Sequence, residues 1–425
     1  MSYIVKDSLA KSFNHSFDAT SLELDALVNI LYEETTLNRA TIHKRGLKLI
    51  LINLIIFSGV KLLISRDHNY KSLSRYNALD VGVSALNTVI EALHRSKYIA
   101  LIIGKNLPYG NGIKSSIEAT EMLKDRLNPI ALQLNPTELV LFREDKKNGS
   151  KQLIDYKDTL RSVRIRNELE AYNKFLSTIH IELRDSFGLE VVRHFNYQVI
   201  QRKFIDNGEV DIQGHPLFNS GGRASSTWTN LGKSSERANI FMDNEPTIEV
   251  DYQASSINVL YKALTGKPFQ GDPYTLTVGD FVIPRHLVKQ IATISLNSTS
   301  SVGVSSTVGK VYGALRTSLK VEDQLKAKEY QSTQIKIQIK VILEAFLTTH
   351  EPIRHMFLKG KDIWNKVQCL ESDLVFAVVN QLTQLGMPVL TVHDSFIVKA
   401  TDKAILDTLM TTNGFPDQDL VRGLI

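Results

Sequence analysis

The sequence predicts an α+β chain, on three observations. Apolar residues recur at helical spacing through much of the first half. Beyond Glu245, two short strand-like runs each lead to a single aspartate. The composition, 43% hydrophobic and 22% charged, is that of a packed globular protein. A length of 425 residues admits two or three domains. With 50 basic and 45 acidic side chains the formal net charge is +5, which suits a phosphate-bearing partner and equally suits many metabolic enzymes. Cys369 is the only cysteine, which excludes an internal disulfide and a cysteine-based zinc site and fits a reducing, cytoplasmic setting. Met1 to Asn14 lacks the apolar core of a secretory signal.

Taken in order, a polar lead-in precedes a short amphipathic helix over Leu22 to Tyr32. Leu47 to Ile64 is strongly apolar, but it contains Lys48, Asn53 and Lys61 and is broken at Ser58-Gly59. A spanning helix needs about 20 nearly uninterrupted apolar residues, so a buried helix and no membrane partner are expected. A basic stretch, Arg66 to Tyr76, follows. Val83, Leu86, Val89, Ile90 and Leu93 then mark a helix over Val81 to Leu93, and Tyr98 to Ile103 reads as a strand. Gly104 to Gly112 has turn chemistry, and Ser115 to Leu127 again has helical spacing. Residues 133–190 read as mostly helical, most clearly from Leu160 to Leu183, and Phe195 to Ile212 as a hairpin around Asp206-Asn207-Gly208.

The helix–helix–strand–loop order within residues 1–130 resembles a winged helix-turn-helix of the kind found in replication initiators. That resemblance implies a helix in the major groove, with Arg66, Lys71, Arg75, Arg95, Lys97 and Lys105 on phosphates. The same residues also read as the solvated basic face of an ordinary helical domain, and both readings stand at this point.

Chemistry becomes legible further on. Thr247 to Tyr252 reads as a strand ending at Asp251, followed by a helix-compatible run from Ala254 to Leu264. Pro388 to Val398 reads as two apolar strands around a His393-Asp394-Ser395 corner. Two carboxylates from separate strands are what a pair of magnesium ions needs. A lone strand-end aspartate is more often a turn or cap residue, so the neighbouring motifs carry the weight.

Those motifs are Gly222-Arg223-Ala224-Ser225-Ser226 with Asn230-Leu231, the run Asp251 to Leu260, Gly271-Asp272-Pro273-Tyr274-Thr275, Arg285 with Lys289, the helix from Leu370 to Leu385, and His393-Asp394-Ser395. In this order, Gly221 to Lys399 resembles the palm and fingers of family A DNA polymerases and the related single-subunit phage RNA polymerases. The resemblance implies a right-hand polymerase palm and fingers core over 221–425. A thumb-like helical connector over 131–220 and a mainly helical N-terminal region over 1–130, containing the winged helix, would precede it. Asp251 and Asp394 would hold two Mg2+ ions, replaceable by Mn2+, with the Tyr252 carbonyl as a further ligand. Arg285 and Lys289 would bind the triphosphate beside Tyr252 and Ser256. Arg223 and Asn230 would contact primer and template, and His393 would lie near the primer end unless it is simply a turn histidine.

Two departures matter. Thr293, Asn297 and Ser298 stand where the family carries an aromatic and a Tyr-Gly pair, and Ser256 replaces the glutamate that excludes the ribose 2′-hydroxyl in the DNA enzymes. Weakened discrimination between deoxy- and ribonucleotides is the expectation.

The expected function is a DNA-directed DNA polymerase that extends a primer 3′-hydroxyl. It would work as a monomer on a DNA template, with nucleoside triphosphates as substrates. No acidic exonuclease constellation is readable before Gly221, so no proofreading is expected. A phage or mobile element would suit such a compact enzyme, placing it in a host cytoplasm or virion. Two alternatives remain: a DNA-directed RNA polymerase or primase-like enzyme, and a DNA-binding replication initiator with a catalytically inert palm. Gly232-Lys233-Ser234 and Gly303 to Lys310 lack the spacing or hydroxyl of a P-loop.

Overall fold

A computed structural model describes residues 10–66, 74–105, 114–135, 138–145, 152–195, 199–229, 231–233 and 236–412. Lys71 and Asn230, both singled out from sequence, lie outside the described residues, as does most of the 104–112 turn. The fold is mixed α+β. Contacts divide the chain into two units built from interleaved segments. The first comprises Met1–Phe142, Gln152–Arg202 and Ser225–Thr247, and the second Arg143–Lys151, Lys203–Ala224 and Ile248–Ile425.

The first unit opens with β1 (Lys11–Ser12), β2 (Ala19–Thr20) and α1 (Leu22–Glu34). The Ser21 hydroxyl accepts from Leu24 N at the start of α1, with Glu23 and Asp25 in the first turn favouring that end of the helix dipole. In α2 (Ala40–Ile56), every residue from Leu49 onward is buried. Asn53 survives there because its amide donates to the Leu49 and Asn14 carbonyls and its oxygen accepts from Asn14 N. The apolar stretch is thus a core helix, and among the described residues no helix is long and apolar enough to cross a membrane. It ends at Ile56 rather than Ile64, and its last residues form β3 (Leu62–Ile64). Gly46 lets α3 (Val83–Arg95) approach closely, since a Cβ at that position would meet Val89 Cγ2 at 3.0 Å.

Next come β4 (Ile99–Ile102), β5 (Ser115–Ala119) and α4 (Glu121–Leu127). The helical reading of Ser115 to Leu127 is therefore corrected. Ser115–Ala119 pairs with both β4 and β3, giving the order β1-β3-β5-β4, and only the last seven residues are helix. Cross-strand pairing overrides a short helical pattern here. The mostly helical reading of residues 133–190 is corrected too. The segment holds β6 (Gln133–Leu134), β7 (Val140–Arg143), one helix, α5 (Leu160–Leu176), and β8 (Ile181–Arg184), with β9 (Val191–His194) following. A reciprocal Thr159–Ser162 cap starts α5, and the Ser177 and Thr178 hydroxyls take the Lys174 and Phe175 carbonyls where it stops, short of Leu183. Nor do the described residues of Phe195 to Ile212 form a hairpin. β10 (Gln201–Ile205) lies between β7 and β11 (Gly221–Ser225), and Val210 bridges to Pro216 instead.

β12 (Ile240–Met242) pairs with β8 and with the start of β13 (Glu245–Asp251). In the second unit the end of β13 neighbours β17 (Ser395–Lys399), itself the partner of β16 (Val389–Val392). Between these strands lie α6 (Ser255–Thr265), the small ribbon β14 (Thr277–Val278) and β15 (Phe281–Val282), α7 (Arg285–Asn297), α8 (Ser301–Leu315), α9 (Val321–Lys336), α10 (Ile339–Thr349) and α11 (Lys361–Gln384); α12 (Lys403–Thr412) closes the described chain. Ile257, Leu260, Leu287, Ile291, Val308, Phe346 and Leu370 are among the residues of one apolar cluster that packs these helices together. In α9 only Ala327 and Thr333 are buried.

One ionic network stabilises the first unit. Glu138, its side chain 7% exposed, receives Arg75 Nη1 at 3.1 Å and Arg166 Nε and Nη2 at 3.2 Å each. Arg75 also donates to Asp155 and to the Tyr156 carbonyl, and lies 4.0 Å from the centre of the Tyr156 ring. The guanidinium expected on a phosphate is therefore engaged by protein acceptors. Removing Glu138 would take the most buried acceptor from two largely desolvated guanidiniums, leaving them the more exposed Asp155 and Asp158. Glu138→Ala should destabilise the protein by about 2–4 kcal/mol, the cost of breaking a buried pair discounted for the partial exposure of the arginines. Denaturant unfolding measures this, and a change under about 0.5 kcal/mol, the size of an ordinary surface effect, would contradict it.

Candidate active site

The site is built on the β16–β17 hairpin. Val389 to Val392 and Ser395 to Val398 are buried, which fixes the register Val389↔Val398 through Val392↔Ser395 and leaves only His393 and Asp394 to turn the chain. His393 takes a left-handed φ of 59°, and its side chain is exposed. The apolar strands thus deliver Asp394 to the rim of the sheet. Beside them β13 ends at Asp251, and Tyr252 N donates to the Asp394 carbonyl at 3.2 Å. The two aspartates therefore stand at adjacent strand ends, Asp251 exposed and Asp394 half-buried. Ser395 Oγ lies 2.8 Å from Glu249 Oε1, so the carboxylate two residues before Asp251 is engaged by the hairpin.

After Asp251 the chain turns through Ala254, at φ 49°, into α6. This places Ser256 in the first turn, where its Oγ donates to Glu371 Oε1 at 2.6 Å. Arg223 Nη2 on β11 donates to the other oxygen, Oε2, at 3.0 Å. Ser372 Oγ donates to the Gly222 carbonyl at 2.6 Å and so fixes β11 against α11. Glu371 is 4% exposed. Burial pushes its carboxyl above the ordinary carboxylate range and the Asp394 charge adds to that, while Arg223 and Ser256 pull the other way. This third acid had escaped the sequence reading. Its signal is Glu371-Ser372-Asp373, three consecutive polar residues within an apolar helical run, all of them buried.

Arg285 and Lys289 lie four residues apart on the outer side of α7, which buries Leu287, Val288 and Ile291. Both line a cleft of 710 Å³ together with Tyr274, His286 and Lys326, within the ~300–1,000 Å³ of small-molecule sites. Arg285 is held by Asp272 at 2.5 and 3.1 Å and lies 5.2 Å from the centre of the Tyr274 ring. Burial pushes the Tyr274 phenol up to about 12, with Arg285 lowering it and Glu371, Asp272 and Asp394 raising it. Tyr274 is thus in electrostatic reach of both the cationic cleft and the acidic strand ends.

The structure therefore gathers Asp251, Tyr252, Ser256, Arg223, His393 and Asp394 around the strand ends, with Arg285 and Lys289 in the cleft linked to them through Tyr274. Arg75 belongs to the other unit. For a divalent ion, Asp251, Asp394 and the Tyr252 carbonyl offer oxygen donors of the kind magnesium takes. Glu371 is occupied by Arg223 and Ser256.

A carboxyl raised by burial keeps its proton in the folded state while the unfolded chain has already lost it. The stability of the native protein relative to Glu371→Gln should therefore fall as pH rises through and above the ordinary carboxylate range, the loss beginning at the unfolded carboxylate value. Urea unfolding of both proteins across that range tests this, and a pH-independent difference would contradict the buried-carboxyl account.

Comparison of the chain with protein-family models, curated proteins and solved structures finds no match, so the functional reading rests on these residues themselves.

Proposed function

We propose that the chain is a template-directed nucleotidyltransferase, a DNA-directed DNA polymerase that extends a primer 3′-hydroxyl. The observation that carries the reading is the pairing of the Asp394 hairpin with the end of β13, which sets two aspartates side by side near a cleft bearing Arg285 and Lys289. Asp251 and Asp394 would hold the magnesium ions, with Tyr252 contributing its carbonyl. Bound there, Mg2+ supplies a lowered pKa for the attacking hydroxyl and charge neutralisation for the leaving pyrophosphate. Arg285 and Lys289 bind the triphosphate, Arg285 exchanging Asp272 for phosphate oxygens. Arg223 orients Glu371 beneath the nucleotide sugar.

Ser256 takes on a different meaning from the one its size suggests. Its hydroxyl donates to the Glu371 carboxyl, so an acidic group from α11 stands beside the residue at which the resembled DNA enzymes encode one. We expect Glu371 to preserve a preference for deoxynucleotides that the sequence alone predicts to be weak.

A second reading, a DNA-binding initiator with an inert palm, is favoured by one observation. The strand order β3-β5-β4, with α3 leading into β4, is that of a winged helix, and Arg95 and Lys97 are exposed at the end of α3. The two readings separate in one assay.

With a labelled primer on a DNA template and Mg2+, deoxynucleotides should be incorporated. Asp251→Ala and Asp394→Ala should each reduce extension about a thousandfold or more. Lys289→Ala should keep the reaction and raise the nucleotide KM about tenfold, ~1.4 kcal/mol of binding. Glu371→Ala should raise ribonucleotide use relative to deoxynucleotide use. Efficient ribonucleotide incorporation by the native chain would favour the RNA polymerase or primase form. No extension with either nucleotide, beside duplex binding, would favour the initiator.

A further inference from the structure

Outside that site, the hairpin of β8 and β9 carries a group of side chains with no part in the proposed reaction. His180 immediately precedes β8, Glu182 lies within it, and His194 on β9 is registered opposite Glu182. A two-residue step puts His180 and Glu182 on one face of the ladder, and cross-strand pairing adds His194 to that face. Glu182 is only 3% exposed, whereas the side chains of His180 and His194 are 48% and 49% exposed. His180 Nε2 lies 2.9 Å and His194 Nδ1 3.8 Å from the same Glu182 oxygen, Oε2, and the three atoms all fall within 4.8 Å of one another.

The other oxygen, Oε1, is taken by Arg184, whose Nε donates at 2.5 Å. Arg184 is itself fixed, donating to Asn244 Oδ1 at 3.0 Å and lying 4.1 Å from the centre of the Phe241 ring. The carboxylate is therefore locked by a second layer of contacts, with one oxygen aimed at two imidazoles.

We propose that His180 Nε2, Glu182 Oε2 and His194 Nδ1 form a binding site for a divalent transition-metal ion of the zinc type, with water in the fourth position. Two imidazoles and one carboxylate select such an ion over magnesium or calcium, which take oxygen donors. Zinc bonds of ~2.0–2.2 Å place tetrahedral ligands roughly 3.3–3.5 Å apart, between the two separations measured from Oε2, so small ring rotations close the site. The half-exposed imidazoles leave the ion a path from solvent. The Arg184 charge opposes a cation, so this site binds less tightly than a closed structural one. An ion here would clamp β8 to β9 where their ladder slips, between Leu183 and Arg184.

The test uses the full chain, stripped with a chelator and titrated with Co2+, whose visible bands report tetrahedral nitrogen ligation. One equivalent should bind with those bands, be displaced by Zn2+, and remain bound in excess Mg2+. His180→Asn or His194→Asn should each weaken binding about tenfold or more, and the double variant should lose the bands. Unfolding curves would verify that these exposed substitutions leave the fold intact. Absence of the bands, survival of binding in the double variant, or dependence on Asp251 and Asp394 instead would each overturn the proposal.

Discussion

The bond from Tyr252 N to the Asp394 carbonyl is the constraint on which the candidate site depends. It is a single backbone contact, yet it sits where the register of three neighbouring strands is settled. Every hairpin residue from Val389 to Val392 and from Ser395 to Val398 is buried, so a slip by one residue would exchange the two packed faces and carry Asp394 away from Asp251. Site geometry is thus enforced largely by burial of the hairpin, with the Ser395–Glu249 bond as a further tie between β17 and β13.

Around that pair, the second unit uses hydrogen bonds where apolar packing would give less direction. α11 uses Glu371 and Ser372 to bind two different elements at three points: Ser256 on α6, and Arg223 and the Gly222 carbonyl on β11. Each bond is formed in a setting that excludes most water, which makes a missing partner costly and an alternative arrangement unfavourable. Burial outweighs the guanidinium and the hydroxyl that face Glu371, so its carboxyl holds its proton more tightly than an exposed one. The result is a rigid floor at the start of α6.

Much of this was legible in the sequence where local pattern and tertiary role agree. The strand into Asp251, the helix after it and the His393-Asp394 hairpin were read from local pattern, and the pairing of Arg285 with Lys289 from the resemblance to the polymerase motifs. Ser115–Ala119 was misread because its spacing is compatible with a short helix, while its fate is set by pairing on both edges, with β4 just before it and with β3 about 50 residues earlier. The α5 reading ran too long because Ile181 and Leu183 continue an apolar pattern after the hydroxyls of Ser177 and Thr178 have closed the helix. Arg75 looked available because its acceptors, Glu138, Asp155 and the Tyr156 carbonyl, lie many residues away. Glu371 stayed hidden for the same reason: its meaning lies in Ser256 and Arg223, each more than a hundred positions distant.

The interleaving of the two units bears on how the chain emerges from a ribosome. The first unit cannot complete its contacts until Ser225–Thr247 has been synthesised, and by then Arg143–Lys151 and Lys203–Ala224, which belong to the second, are already present and waiting. A single cut after Thr247 would therefore release the first unit only with Arg143–Lys151 and Lys203–Ala224 still attached, and no uninterrupted segment holds the second unit without residues of the first. A piece beginning at Gly221 would carry β11 without β10, and one ending there would lack β12 beside β8. Vectorial synthesis thus brings two segments of the second unit out of the ribosome before the first unit is complete.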